Sequence, residues 1–581
     1  MLVNNVDTRR AIALLMLVND QEVIRVYRGI CALLVLLSMV LVTPSASAQM
    51  QVDWVRLYSG ASSGSDTPMA IDIGSTGNVV VAGDSWGGSD KDLLLVCYSP
   101  QGDSLWSHRL QGAAGLDDHI ADMDVDSLGS IYITGYQTGA DNLRDYFTSK
   151  LSPSGSELWT KTYQAGDGPP NGHSEAQSLK IDNAAAVFVT GFSRDVTRYA
   201  YATIKYSSDG DSLWIRRFTG TSAGQSYGYA LGVDGSGDSY VTGGSFHASS
   251  GQDFTTVKYD GEGNTLWSDL YDGPGAGGDD YAYLVTVDAA GFVYVAGESM
   301  GESSGFDFAV VKYQPDGDTV WVRRYNGPGN GDDVPADLAV DSEGSVYITG
   351  VSPGSGTADD YATIRYLPDG EFAWIRRYDG PGDSTDDPSA LKLDGAGNIC
   401  VTGFSYSGQD DSTSDMMTIC YAPDGQVVWQ DRYDGLANAR DVGTALAIDG
   451  QVVYVTGETM GPDGSSDFVT IRYAPVHSGV RELNSPSVPT GFHISQNYPN
   501  PFNAATVIDF EIPKESEIDI EVFDIGGRVV RRLFNGALPE GQYEAEWNGR
   551  DVRGVRAASG IYICRFQTRE FTQSLKLVLL K

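Results

Sequence analysis

Six aspartates hold one recurrent place in this sequence: Asp66, Asp118, Asp280, Asp333, Asp386 and Asp441. Ser174 and Ser226 take the same place in two further units. A ring of carboxylates offers the hard oxygens that Ca²⁺ takes in numbers, so Ca²⁺ is the one cofactor the chain suggests. The local alternative is an Asp that caps backbone N–H groups of Gly-rich loops, and recurrence in six units favours that structural job. A second column, Asp72, Asp124 and Lys180, falls two places before the end of alternating strands in consecutive units. Its flanking positions, such as Val125, Val340 and Ile448, are apolar. The column therefore faces the other way, as a neutralised cluster in a wet channel or as a cation site.

Other chemistry is thinner. Asp122, Asp124 and Asp126 imitate the start of an EF-hand loop, but Ser127 stands at its glycine and Ile133 at its final acid. Residues 60–64 and 301–305 fit G-x-S-x-G without the strand-to-helix turn that exposes a serine nucleophile. The six His form no H-E-x-x-H; His119 and His173 stand beside acids in long-loop segments. Cys400 and Cys420 replace pairs such as Tyr347 and Arg365 of another unit. Strand alternation puts both on one face, which predicts a cross-strand disulfide against the alternative of two buried thiols.

The elements behind these residues repeat. Trp recurs at 54, 106, 159, 214, 267, 321, 374 and 429, a period of about 53 residues. Each period adds three apolar blocks, which in one unit read ADLAVD (336–341), VYITG (346–350) and DYATIRY (360–366). Gly, Asp, Asn and Pro bound them, so they read as strands, and four strands per unit match a propeller blade. The glycine that closes VTG appears at 83, 135, 191, 243, 297, 350, 403 and 457. The first Trp strand precedes any ADLAVD block, and the last unit has no Trp strand of its own. This predicts an all-β, eight-bladed propeller over 49–475, its eighth blade completed by the N-terminal strand so that no sheet edge stays open. Tight turns fall on one rim. Long connections such as 326–333 and 351–359 fall on the other, where binding residues are expected.

The GNVYVTG-like cores that follow ALAVD-like strands resemble the bacterial β-propeller repeats of the SBBP type, over roughly residues 52–475. That resemblance implies architecture and no activity. The Trp four places after a turn glycine, as in Gly210 and Trp214, is similar to the tryptophan-docking motif of quinoprotein dehydrogenases. It implies a Trp that locks neighbouring blades. The adjacent Cys-Cys pair of many such enzymes is absent, and the redox chemistry does not carry over.

Composition narrows the function classes. The 581 residues carry a net charge of −38, which repels phosphate backbones and argues against nucleic acid as a partner. Five Cys without a C-x-x-C pair exclude a disulfide scaffold or a structural zinc site. Arg25 and Arg28, an apolar run at 30–42 and Ala46-Ser47-Ala48 make a three-part secretory signal over 1–48. The run is short for a membrane span, so no transmembrane segment is expected in the mature chain.

After a Ser/Pro-rich linker at 476–490, residues 491–581 change grammar. Short alternating strands with turn signals predict a small immunoglobulin-like sandwich. QNYPNPFN, with Asn497, Pro499, Asn500, Pro501 and Phe502, opens the segment. FDIGGRVV follows, with Gly527 and Arg528, then SGIY with Gly560 and Tyr562, then KLVLLK with Lys576 and Lys581. These resemble the type A sorting domain of the type IX secretion system; the alternative is a structural Ig-like domain of the related hook-capping type. The resemblance implies Sec export, a Gram-negative-type periplasm and the type IX machinery as partner, with the product secreted or held at the cell surface. The reading is a binding or adhesion scaffold for an extracellular protein or glycan. The alternatives are a saccharide- or small-molecule-directed extracellular enzyme and a purely structural surface protein.

Overall fold

The computed structural model describes residues 50–580 apart from 61–63, 113, 165–171, 195–196, 221–223, 276, 382–383, 407–412, 436, 438, 476–479, 484–488, 504 and 552–555. The predicted signal and Lys581 lie outside the described residues. All named elements are strands, and no helix of the described residues is long and apolar enough to cross a membrane.

Among the described residues, eight four-stranded antiparallel sheets lie before residue 476. Seven of them use four strands consecutive in sequence; Asp386–Leu393, Ile399–Tyr406, Ser414–Tyr421 and Val427–Tyr433 are one such set. The eighth pairs the first strand, Met50–Tyr58, with Ser466–Pro475, followed outward-in by Val452–Met460 and Asp441–Asp449. The inner strand of each sheet packs beside the inner strand of the next, and Asp441–Asp449 packs beside Thr67–Ile73 of the first sheet.

Each sheet is made by local chemistry. The Asp that ends an inner strand closes the following tight turn: Asp341 Oδ1 accepts from the N–H groups of Glu343 and Ser345 at 2.9 and 2.8 Å. The next two strands are buried along most of their length, as in Ser414–Tyr421. A register shift interrupts every inner strand after its first residues, for example between Gly228 and Ala230 and between Ala282 and Leu284. The VTG glycine faces this bulge. A Cβ on Gly243 would stand 1.9 Å from the Tyr227 carbonyl oxygen, so no side chain fits there.

Tryptophan joins the sheets. Trp214 Nε1 donates to the Gly261 carbonyl of the next sheet's turn at 3.1 Å, and Trp321 donates to Pro368 at 3.2 Å. The turn glycine must be bare: Gly263 has φ +82°, and a Cβ there would meet Trp214 at 2.8 Å. Trp54, on the strand that completes the eighth sheet, donates in the same way to Pro100 of the first sheet at 3.1 Å.

The C-terminal module is a sandwich of two four-stranded sheets around Phe502, Ile508, Phe510, Val522, Trp547, Phe566 and Leu577. Val480–Leu483, within the segment expected to be a linker, pairs with Gly541–Trp547 and so belongs to one of these sheets.

Candidate ligand-binding rim

The six recurrent aspartates are 0–1% exposed, each at the start of its own sheet's inner strand or just before it. Each carboxylate takes the N–H of a glycine in the loop before it. Gly60 donates to Asp66 and Gly112 to Asp118, both at 2.7 Å. Gly273 donates to Asp280 at 2.8 Å, Gly327 to Asp333 at 2.7 Å, Gly380 to Asp386 at 2.5 Å and Gly435 to Asp441 at 2.7 Å. Ser226 fills the place with the same bond, from Gly220 at 3.1 Å. Among the described residues no two of the six share a cluster of metal-ligating spacing. Burial pushes Asp118, Asp333 and Asp386 up to about 6, against the hydrogen bonds that favour the charged form.

The predicted channel column links neighbouring inner strands. Asp72 Oδ2 accepts from Val125 N at 2.9 Å, and Asp124 Oδ2 from Ile181 N at 3.2 Å. Lys180 Nζ lies 3.7 Å from Asp122, and Asp122, then Asp124 and Asp72, hold its pKa above the ordinary lysine value. Burial pushes Asp72 up to about 6, with Asp124 adding repulsion.

The long-loop rim carries a feature the sequence reading missed. Tyr229 and Tyr283 occupy the bulges of two neighbouring inner strands, where an extra residue re-aims its side chain. Tyr229 lies near-parallel to Tyr227 and Tyr283 near-parallel to Tyr281, each pair at 13°, and Tyr229 meets Tyr283 at 5.3 Å. Phe192 and Tyr199 extend the row at one end and Phe306 at the other. All seven rings are half-buried, so each keeps surface for a ligand. Acids orient two hydroxyls: Tyr281 donates to Asp279 at 3.2 Å and Tyr283 to Glu298 at 2.8 Å. Gly244 leaves the room, since a Cβ there would stand 3.1 Å from the Tyr281 ring. Paired tyrosines two apart, in SYGYALG and DYAYLVTV, were the available signal.

His119 Nδ1 lies 2.7 Å from Asp84 of the preceding sheet, and His173 accepts from Arg144 N at 3.1 Å while Arg144 pairs with Glu175. Cys400 and Cys420 are directly opposed, with Cα atoms 4.0 Å apart and their sulfurs joined.

In the C-terminal module the first and last motif segments meet. Asn500 donates to Lys576 O at 3.0 Å and accepts from Val578 N at 2.9 Å; Phe502 N donates to Val578 O at 3.0 Å. Asn497 is buried and donates to Pro499 O at 3.1 Å, and the bonds to Pro499 and Pro501 are cis. Gly527 turns at φ +81° beside Asp524, which pairs with the exposed Arg528. Gly560 opens the strand Gly560–Gln567, and Tyr562 packs edge-on against Trp547.

Residues 320–356 match the β-propeller repeat family, and residues 500–569 match the FlgD Ig-like domain. The chain is a β-propeller protein with an Ig-like module at its C-terminal end. None of the curated proteins compared with it matches. Among solved structures it is similar to PorZ, an essential bacterial surface component of the type-IX secretion system of Porphyromonas gingivalis, at 14% identity. That match covers 88% of this chain and 70% of PorZ, with a TM-score of 0.38. It is similar to Sqt1 from Chaetomium thermophilum at 11% identity, covering 72% of this chain and 99% of that one, with a TM-score of 0.45. The polysaccharide lyase Uly1 matches at 12% identity over 74% of this chain and 95% of its own, with a TM-score of 0.40.

Proposed function

We propose that this propeller is an exported binding module that holds a glycan on the tyrosine row of its long-loop rim. The row carries the reading: partly exposed aromatic rings beside hydroxyl–carboxylate pairs suit a ligand with apolar faces and hydroxyl edges. The scaffold for it is a closed eight-bladed ring. That part is supported by the pairing of Met50–Tyr58 with Ser466–Pro475 and by Trp54 docking on the first sheet. The Ig-like module serves as a type IX sorting domain, supported by its QNYPNPFN and KLVLLK segments, whose residues bond to each other.

The binding part is tested on a glycan array with the full chain and with Tyr227→Ala/Tyr281→Ala, chosen because both rings are half-exposed. The expected result is binding without turnover in the native chain and loss of at least about tenfold in affinity in the variant. Equal binding by both chains removes the row from the site. The address is tested separately by deleting residues 476–581, which also removes the strand Val480–Leu483, in a host with a working type IX system. The expected product is a folded propeller held in the periplasm. Surface delivery equal to that of the full chain ends the sorting assignment.

A further inference from the structure

The fourth sheet in chain order, built from Ser226–Val233, Ser239–His247, Gly251–Tyr259 and Thr265–Tyr271, lacks an ion pair that four other sheets have. In four other sheets an Asp near the start of the third strand is held by an Arg of the fourth strand. The pairs are Arg109–Asp92 at 3.0 Å, Arg324–Asp307 at 2.7 Å, Arg377–Asp360 at 2.6 Å and Arg432–Asp415 at 2.5 Å. The ladder that sets Ala309 opposite Arg324 sets Thr255 opposite Leu270 in the fourth sheet. Asp253, equivalent to Asp307, therefore lacks that guanidinium although it is 0% exposed. Ser250 Oγ at 2.6 Å and His247 Nδ1 at 3.0 Å both reach its Oδ2. Its Oδ1 is buried and has no hydrogen-bond partner. An unpaired carboxylate oxygen in the interior is costly, and a buried polar atom left so is a mark of a missing ligand.

Two more carboxylates converge on it. Asp272 follows the fourth strand, and Asp280 opens the inner strand of the fifth sheet. One oxygen from each of Asp253, Asp272 and Asp280 lies within 4.8 Å of the others. Oxygens on opposite sides of an ion bound at about 2.4 Å are about 4.8 Å apart, so the three fit one Ca²⁺ shell. Asp272 is exposed, which gives an ion its entry and leaves places for water. Asp280 already accepts from Gly273 and Met300, and carboxylate oxygens keep further lone pairs for a cation. Burial raises the pKa of Asp280 against the hydrogen bond from Ser299 and the charge of Arg324, while Ser250 and then His247 favour the charged form of Asp253. Against them, burial first and then Asp272 and Asp280 push Asp253 up to about 6. The triads Asp360/Asp379/Asp386 and Asp415/Asp434/Asp441 share the spacing, and Asp360, Asp386 and Asp441 also bury an Oδ1 without a hydrogen-bond partner; what sets the Asp253 triad apart is that Arg377 and Arg432 hold the first members of the other two.

We propose that Asp253, Asp272 and Asp280 form a Ca²⁺ site that clamps the fourth sheet to the fifth. The site stands independently of the glycan reading, because metal binding is measured with no saccharide present. The test is calorimetric titration of the EDTA-stripped full chain with CaCl₂ and with MgCl₂, alongside thermal unfolding in Ca²⁺ and in EDTA. The native chain should bind Ca²⁺ in preference to Mg²⁺ and unfold at higher temperature when loaded. Asp272→Asn changes only an exposed carboxylate and should weaken this site at least about tenfold, lowering the measured stoichiometry by one. Leu270→Arg, which restores the guanidinium of the other sheets, should abolish the same site while leaving the stripped chain at least as stable. No Ca²⁺ heat in the native chain, or binding of unchanged affinity and stoichiometry in both variants, overturns the proposal.

Discussion

Cys400 and Cys420 replace a cation–π pair. Lys150 lies over Tyr132, Lys258 over Tyr240 and Arg365 over Tyr347, each across the same two strands of its sheet. Such a pair contributes about 0.5–2 kcal/mol, more as it is desolvated. A disulfide closing a loop with a sequence separation of 20 contributes about 3 kcal/mol through the unfolded chain. The sheet built from residues 386–433 thus trades a local attraction for a covalent tie. Cys97 and Cys564 are free and buried. A chain without residues 1–48 should titrate two thiols when denatured unreduced and four after reduction. Four before reduction would remove the disulfide. This pairing was legible because strand alternation runs unbroken through 399–406 and 414–421, so facing partners follow from spacing alone.

At the scale of the element, the inner-strand bulge decides what could be read in advance. It sits at the same place in all eight sheets, and the VTG glycine is its counterpart. The repeat of that glycine was plain in the sequence, and its physical cause was not. Past the bulge the period of two slips by one, so Tyr229 and Tyr283 turn to a side that alternation does not assign them. That slip is why the tyrosine row escaped a pattern reading, while the apolar strands and their order did not. The recurrent aspartates were legible as a set, and each is buried against a glycine N–H of the loop before it. Gly243→Ala should lower the urea midpoint by the equivalent of about 3 kcal/mol, since backbone must move to admit the methyl group. Gly235→Ala meets nothing within 4 Å and should leave the midpoint unchanged within error. Equal midpoints for the two variants would mean that the bulge relaxes freely.

Across the whole molecule, acid balance sets an unusual pH response. Asp72, Asp118 and Asp333 are pushed up to about 6, in each case by burial first. Asp124 adds to the shift at Asp72 and Lys180 opposes it; Asp92 and Asp90 act at Asp118, Asp307 and Arg377 at Asp333. An unfolded Asp titrates near 3.9, so the folded chain binds protons more tightly between about pH 4 and 6. These groups therefore favour folding below that window, and their contribution is lost as pH rises through about 6. In EDTA, the chain should be more stable at pH 5 than at pH 7.5, by on the order of 1 kcal/mol. The net charge of −38 pulls the same way, so Asp72→Asn separates the two by flattening part of the slope. A midpoint that rises from pH 5 to 7.5 would refute this account.

The strand Met50–Tyr58 also sets a timetable. Its partner, Ser466–Pro475, is made more than 400 residues later; Arg472 and Asp53 bond across a separation of 419. Until that late strand exists, the earliest one has no sheet to join, and Trp54 waits with it. A partly made chain offers unpaired strands at both of its ends, the condition in which sheets join the wrong neighbour. Because loop closure must be met before so distant a contact rewards it, this pairing should be the slow and final event of folding. A chain arrested anywhere before residue 466 is then an unfinished product with sticky ends, so whatever escorts it must hold on until the last blade is translated.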